Sequence, residues 1–276
     1  DGSFYGGVAG NKKANLSVTF NTGQILLGLA SGVSEFGDIY RVPMRQAADW
    51  LTANQDPDGC WRKFPSPFVT PGEKVYDTHV AWGLFEAARI EPARNYDAAA
   101  LANIRWALSF QKDNGWFDKC CLVDPSKPLT HTLGYTLRGI LEAYRYTEKS
   151  DLLQASIKTA DGLLQAINLE VGFLPGRLYA NWKGAVPWSC LTGSVQIAIC
   201  WLMLYEYTGN TAYLEAAIAA NRYVRRTLAT DGPDGIRGGI KGSFPIYGDY
   251  GKDQYLNWAA KFFADSMILE LAVNGQ

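Results

Sequence analysis

The sequence predicts an all-α fold, a ring of helical hairpins of the (α/α)-toroid type, and three observations carry that expectation. A helix end running into a glycine-marked turn recurs, helices apolar all round alternate with striped ones, and every long loop falls at the same point of the alternation. The turn is clearest at Gln55-Asp56-Pro57-Asp58-Gly59-Cys60-Trp61, after the helical run ending at Asn54. It reads as a helix C-terminus, a tight turn and re-entry into the core. Gln, Gly and an aromatic return at the same offsets as Gln111, Gly115 and Phe117, with weaker echoes at Gly2, Gly172 and Gly238. These glycines are spaced by 57, 56, 57 and 66 residues. Such self-similarity marks repeated units that bury apolar faces against one another, and its period is far from the about 34 residues of tetratricopeptide arrays.

Residues 1–16 are rich in Gly, Asn and Lys and read as loop. From about Asn21 to Gly37 the pattern is helical. A second helix starts near Pro43, a residue suited to a first helical turn, and puts Met44, Ala47, Ala48 and Leu51 on one stripe. Three pairs follow: 75–90 with 96–110, 130–147 with 151–167, and 191–207 with 211–228. The first helix of each pair is apolar around most of its circumference, whereas the second carries one stripe, such as Leu153, Ile157, Ala160, Leu164 and Ile167. The first therefore lies inside and the second faces water on its back. Loops 55–74, 111–128, 169–187 and 230–254 each join an outer helix to the next inner one, so a pocket is expected at the inner-helix N-termini. A last inner helix, 256–273, has no outer partner after it. With five inner helices and four outer ones, the expectation is one toroid domain over 1–276, incomplete or N-terminally trimmed.

A chain of 276 residues with 47% hydrophobic content can bury a large core. With 26 basic and 27 acidic residues it shows no electrostatic footprint for nucleic acid or an anionic membrane, and no apolar run is long enough to span a bilayer. Five cysteines without scaffold-like spacing favour a reducing, cytoplasmic compartment. Cys60, Cys120, Cys121 and Cys190 fall on the loop side, but without Cys-x-x-Cys or a Cys-His pair they read as free thiols. No metal or cofactor is expected. Oligomeric state is not encoded in any pattern found.

Gln55-x-x-x-Gly59-x-Trp61 and Gln111-x-x-x-Gly115-x-Phe117 resemble the QW repeats of squalene cyclases and their prenyltransferase relatives, a resemblance that speaks to fold more than chemistry. Neither an Asp-x-Asp-Asp acid motif nor an Asp-Asp-x-x-Asp diphosphate motif is present, so an isoprenoid cyclase or prenyltransferase is only the alternative reading. A longer match lies in Tyr76-Asp77-Thr78, 188–198, 238–248 and 257–263. Together these segments resemble the toroid proteins encoded with exopolysaccharide biosynthesis genes, the VpsJ-like group. That resemblance runs over most of the chain and implies a polysaccharide context without a particular reaction.

Aligned through their glycines, the inner helices place a polar residue at one recurring position: Gln24, His79, Tyr135, Gln196 and, more loosely, Lys261. Four residues on stand Gly28, Gly83, Gly139, Cys200 and Asp265, on the same helical face. The pattern fits either a pocket floor or close helix packing. On the third inner helix His131, Tyr135, Arg138 and Glu142 form one polar stripe, which turned inward would be partly desolvated and tuned for proton transfer and turned outward would be a solvated face. The loops supply Trp116, Tyr179, Trp182, Trp188, Tyr250, Tyr255 and Trp258, whose rings suit the C–H faces of sugars. Arg177 and Lys241 are placed to bind hydroxyls or uronates. Trp61 and Phe117 read instead as turn anchors.

Glycoside hydrolysis usually needs two carboxyls, for which Asp77, Asp118, Asp249 and Asp253 are available. Lyase or epimerase chemistry needs an acid and a base, for which His79, His131 and Tyr135 would serve. The candidate catalytic residues are thus Asp77, His79, His131, Tyr135, Asp249 and Asp253. Gln196 and Lys261 join the aromatic and cationic loop residues as candidate saccharide contacts. The expected function is a carbohydrate-active protein that acts on or binds an exopolysaccharide or its precursor, as hydrolase, lyase or epimerase. A non-catalytic glycan-binding scaffold is the remaining alternative.

Overall fold

A computed structural model describes residues 1–6 and 16–275. Its helices are α1 (Thr19–Phe36), α2 (Arg41–Ala53), α3 (Thr78–Ile90), α4 (Tyr96–Leu108), α5 (Thr130–Thr147), α6 (Ser150–Ala166), α7 (Leu191–Thr208), α8 (Thr211–Arg225) and α9 (Asn257–Asn274). They fall in the expected order, with ends shifted by at most three residues. The start of the third helix is a separate 3₁₀ turn, Val75–Asp77. The expected N-terminal loop holds a two-stranded antiparallel ribbon of β1 (Tyr5–Gly6) and β2 (Leu16–Ser17), while residues 7–15 lie outside the described residues. A second ribbon pairs β3 (Ser189–Cys190) with β4 (Ser243–Phe244), Ser189 opposite Phe244.

The recurring turn repeats contact for contact, with a different donor residue at one of them. Gln55 Nε2 donates to the Ala99 carbonyl of α4 at 2.9 Å, and Gln111 Nε2 donates to the Ala155 carbonyl of α6 at 2.8 Å. The Gly59 carbonyl accepts from Asn103 Nδ2 at 2.9 Å, as the Gly115 carbonyl accepts from Thr159 Oγ1 at 2.7 Å. Gly2, Gly59, Gly115 and Gly172 all have positive φ and press on α2, α4, α6 and α8 at Gln46, Ala102, Lys158 and Ala219, where a Cβ would overlap backbone atoms. Only glycine meets both demands. Gly238 keeps the positive φ but has open space around it. Trp61 and Phe117 are buried, and Trp61 donates its indole N–H to the Leu51 carbonyl at 2.9 Å.

The chain divides into two compact units. One holds Asp1–Gln111, Phe117–Val123 and Arg138–Ala155, and the other holds Lys112–Trp116, Asp124–Leu137 and Ser156–Gln276. The boundaries pass through α5 and α6.

In the first unit α3 packs on α1 and α4. Gly83 lies against the Gly23 carbonyl and Gly139 against the Thr78 backbone, so close that a Cβ would clash. These small residues therefore serve helix packing and not a pocket floor. Gly28 differs: it is exposed and helps line an open groove of about 500 Å³ on α1, with Ile25, Leu29, Phe36 and Tyr40. The polar stripe of α5 is also tied up at its C-terminal end. Glu142, its side chain fully buried, receives Arg138 and Arg145 at 2.7 Å each. Arg145 reaches Glu86 at 2.8 Å, Glu86 accepts from Trp82 Nε1 at 2.9 Å, and the Arg138 guanidinium lies 4.4 Å from the Trp82 ring centroid. Glu142→Ala is expected to destabilise the fold by about 2 kcal/mol, because both arginines keep access to water after losing their shared carboxylate. Urea unfolding at neutral pH checks it.

In the second unit α7 packs on α8 and α9 and is buried along the whole run Leu191–Leu204. α8 is striped, burying Tyr213, Ala216, Ala217, Ala220 and Val224. This is the inner and outer pairing the apolar pattern predicts. α9 is an exception to the inner type, since Trp258, Ile268 and Leu271 are exposed.

Candidate functional site

Each unit holds a polar cluster at the N-terminus of an inner helix. In the first, the chain leaves loop 55–74 through the 3₁₀ turn and enters α3 with Asp77 at its N-cap. A carboxylate there normally accepts the first free N–H groups. Asp77 makes no such bond, although it is only 6% exposed. Burial pushes it up to about 8, against the pull of the Lys74 ammonium, so at neutral pH it is a carboxylic acid. Lys74 is itself buried and reaches the Leu122 carbonyl at 3.5 Å. Two residues on, His79 is buried, stacked on Phe20 at 6.4 Å and edge-on to Trp82 at 5.1 Å.

The second cluster is built on the first turns of α5 and α7. His131 Nδ1 is 2.8 Å from Gln196 Oε1, and its ring lies 4.4 Å from that of Tyr135 and 5.0 Å from that of Tyr250. Trp258 Nε1 donates to the Tyr250 hydroxyl at 2.9 Å, and Phe262 closes on Tyr135 at 6.0 Å. Burial lowers His131 to about 4, with the Gln196 contact opposing, so the imidazole is neutral at physiological pH. Desolvation raises both phenols well above their ordinary value; Gln196 opposes it at Tyr135, and Trp258 and Thr192 oppose it at Tyr250. The cluster is thus an uncharged base between two protonated phenols. Sequence reasoning missed Thr192 and Phe20, each one turn before a recurring polar position on the same helix face, which was the available signal.

Around this cluster the loops of the second unit lock together. Arg177 pairs with Asp249 at 3.2 Å and donates to the Lys127 carbonyl at 2.9 Å. Its cation is therefore engaged. Asp253 is exposed with left-handed φ, and its N–H donates to the Ile246 carbonyl, as a turn former does. Trp116, Trp182 and Trp188 are buried: Trp116 meets Trp182 edge-on at 5.2 Å, and Trp188 fills the space left by Gly176 and Gly248. Trp182 donates Nε1–H to the Asn114 carbonyl at 3.0 Å. Trp182→Phe should cost about 1–2 kcal/mol through that unpaired carbonyl, a loss readable as a lower melting temperature. Tyr179 and Trp258 remain exposed, and Lys241 sits half-buried near the Tyr255 ring at 5.6 Å. Lys261 is exposed and paired with Asp265 at 2.6 Å, unlike the buried His79, Tyr135 and Gln196 at the same repeat position.

The five cysteines are buried, and burial pushes Cys60 and Cys190 up to about 12. Among the described residues no group of three or more His, Cys, Asp or Glu fits a metal ion, and no helix is long and apolar enough to cross a membrane.

No family model matches the chain, and no curated protein matches it. Solved structures do. An unsaturated glucuronyl hydrolase specific for heparin has a TM-score of 0.74 at 13% identity, over 94% of this chain and 76% of that one. A sugar epimerase from a ruminal bacterium has a TM-score of 0.75 at 8% identity, over 94% and 72%. The GH76 α-mannanase of Bacteroides thetaiotaomicron has a TM-score of 0.66 at 15% identity, over 99% and 77%. At such identities the likeness shows the fold alone, which is an all-α toroid of helical hairpins.

Proposed function

We propose that this chain is a carbohydrate-active enzyme that transfers a proton to an oligosaccharide or polysaccharide, with Asp77 as the donor. The observation that carries the proposal is a buried carboxyl group that caps no helix N–H, held protonated up to about pH 8 at the N-terminus of an inner helix. Such a group is an acid at neutral pH and does not serve as the helix cap its position would suggest. Exposed rings of Tyr179 and Trp258 suit the faces of sugar rings. The solved structures of like fold, among them hydrolases, an epimerase and a mannose isomerase, support a carbohydrate as substrate. The resemblance of 188–198, 238–248 and 257–263 to the VpsJ-like toroid proteins supports an exopolysaccharide or its precursor.

His131 favours a second reaction type. A neutral imidazole beside Tyr135 and Tyr250 fits removal of a proton from a sugar carbon, followed by its return on the other face in an epimerase or by β-elimination of the leaving oxygen with formation of a C=C bond in a lyase, better than hydrolysis between two carboxyls. The test is a thermal-shift screen of acidic and neutral oligosaccharides, followed by product analysis in D₂O. New reducing ends on saturated products without deuterium on carbon support hydrolysis through Asp77, and either deuterium on carbon or an unsaturated product supports the His131 reading. Stabilisation without product from any glycan would sink both and leave a binding scaffold. No stabilisation by any glycan removes the carbohydrate reading.

A further inference from the structure

We propose that Gln196 is a positioning residue that holds His131 in the tautomer protonated at Nδ1, leaving Nε2 as a buried acceptor for a hydroxyl of a sugar ring. Two glycines make the contact. Gly134 leaves α5 bare where a Cβ would come 2.9 Å from the Gln196 Cβ, and Gly193 leaves α7 bare where a Cβ would come 2.5 Å from the His131 backbone nitrogen. The close approach sets the amide oxygen of Gln196 at 2.8 Å from Nδ1. An amide oxygen only accepts, so the ring nitrogen facing it carries the hydrogen. In a neutral imidazole the other nitrogen then keeps its lone pair.

On the same helix face Gln196 Nε2 and Thr192 Oγ1, one turn apart, are buried without a hydrogen bond of normal geometry, with the Tyr135 and Tyr250 phenols as their polar neighbours. Buried polar groups of this kind have partners as a rule. An amide N–H, a hydroxyl and phenols in one cluster with an imidazole lone pair suit a ligand that brings acceptors and donors together, as adjacent sugar hydroxyls do. Tyr250, half-buried, and Trp258, exposed, supply ring surface next to them. The tautomer stands on this geometry alone; the sugar as ligand rests on the carbohydrate reading.

Long-range ¹H–¹⁵N correlation spectra read the tautomer directly, and the chain has only two histidines, separated by comparison with His79→Gln. In the wild type at neutral pH, His131 is expected with a protonated Nδ1 and a bare Nε2. Gln196→Leu should move the proton to Nε2, whereas Gln196→Glu, which still accepts, should keep it on Nδ1 and raise the titration midpoint above the wild-type value of about 4. If Gln196→Leu fails to fold, Gly134→Ala displaces the amide without changing its chemistry and should give a mixture of tautomers. A wild-type His131 protonated at Nε2, or a spectrum unchanged in Gln196→Leu, overturns the positioning role. D-mannose or D-glucuronate should shift the Nε2 resonance; no shift with either overturns the sugar assignment and leaves the tautomer standing. Neither result depends on detecting turnover, so a failed enzyme assay does not decide it.

Discussion

Asp77→Asn is expected to lower product formation from the responsive glycan by about 10²–10⁴-fold while stabilising the fold at neutral and alkaline pH. The two effects have one origin. A carboxyl whose ordinary value is 3.8 and whose folded value is about 8 keeps its proton in the folded protein and releases it in the unfolded chain across that interval. The unfolded state therefore binds fewer protons, and stability falls as pH rises from about 4 to about 8. Stability from this group is complete below 3.8 and lost by the time pH passes 8. At pH 7 the accumulated cost is up to roughly 4 kcal/mol, and asparagine, which cannot ionise, does not incur it. Denaturant melts from pH 4 to pH 9 check this: the variant should gain on the wild type steadily up to about pH 8. A carboxyl kept only for structure would instead cost stability on replacement at every pH. Equal pH slopes in the two proteins would remove Asp77 as a protonated acid.

The fold was legible because the repeat is written in residues with single physical uses. Gln55 and Gln111 mark the turn since each amide satisfies a carbonyl of the following outer helix, and Gly59 and Gly115 mark it since each combines positive φ with a carbonyl pressed where a Cβ would be. The recurring polar position was legible for the same reason, and His79, Tyr135 and Gln196 are all buried there. What helical spacing could not show was the use made of each neighbour. Gly83 and Gly139 looked like space beside a pocket, and the structure fills that space with the backbones of Gly23 and Thr78. Trp116, Trp182 and Trp188 looked like loop aromatics open to a ligand; loop-to-loop packing, which leaves no periodic signal, buries all three. Arg177 looked like a free cation until Asp249, 72 residues away, was placed against it. The difference between Asp77 and Asp249 is likewise one of long-range company, since desolvation is a property of the packed chain and not of its neighbours in sequence.

His131→Gln tests the second cluster through the opposite sign. The imidazole's ordinary value of 6.5 falls to about 4 in the folded protein, so between those limits the unfolded chain binds the proton and the folded one does not. Stability from this group is present above 6.5 and is lost as pH falls through 4, up to roughly 3 kcal/mol. In the wild type this gain with rising pH runs against the loss due to Asp77, and the two offset each other between about pH 4 and 6.5. The stability curve set by this pair is therefore flat in that interval and falls only from about 6.5 to 8. Removing the histidine uncovers the Asp77 slope over the whole range, so His131→Gln should lose stability continuously from pH 4 to pH 8. Asp77→Asn should show the mirror image, rising to about pH 6.5 and then level. Urea midpoints for the three proteins at each pH separate these shapes even if the absolute stabilities shift, because packing losses displace a curve without tilting it. A His131→Gln curve parallel to the wild type would mean that the imidazole titrates as it does in water, and the buried neutral base between Tyr135 and Tyr250 would have to be abandoned.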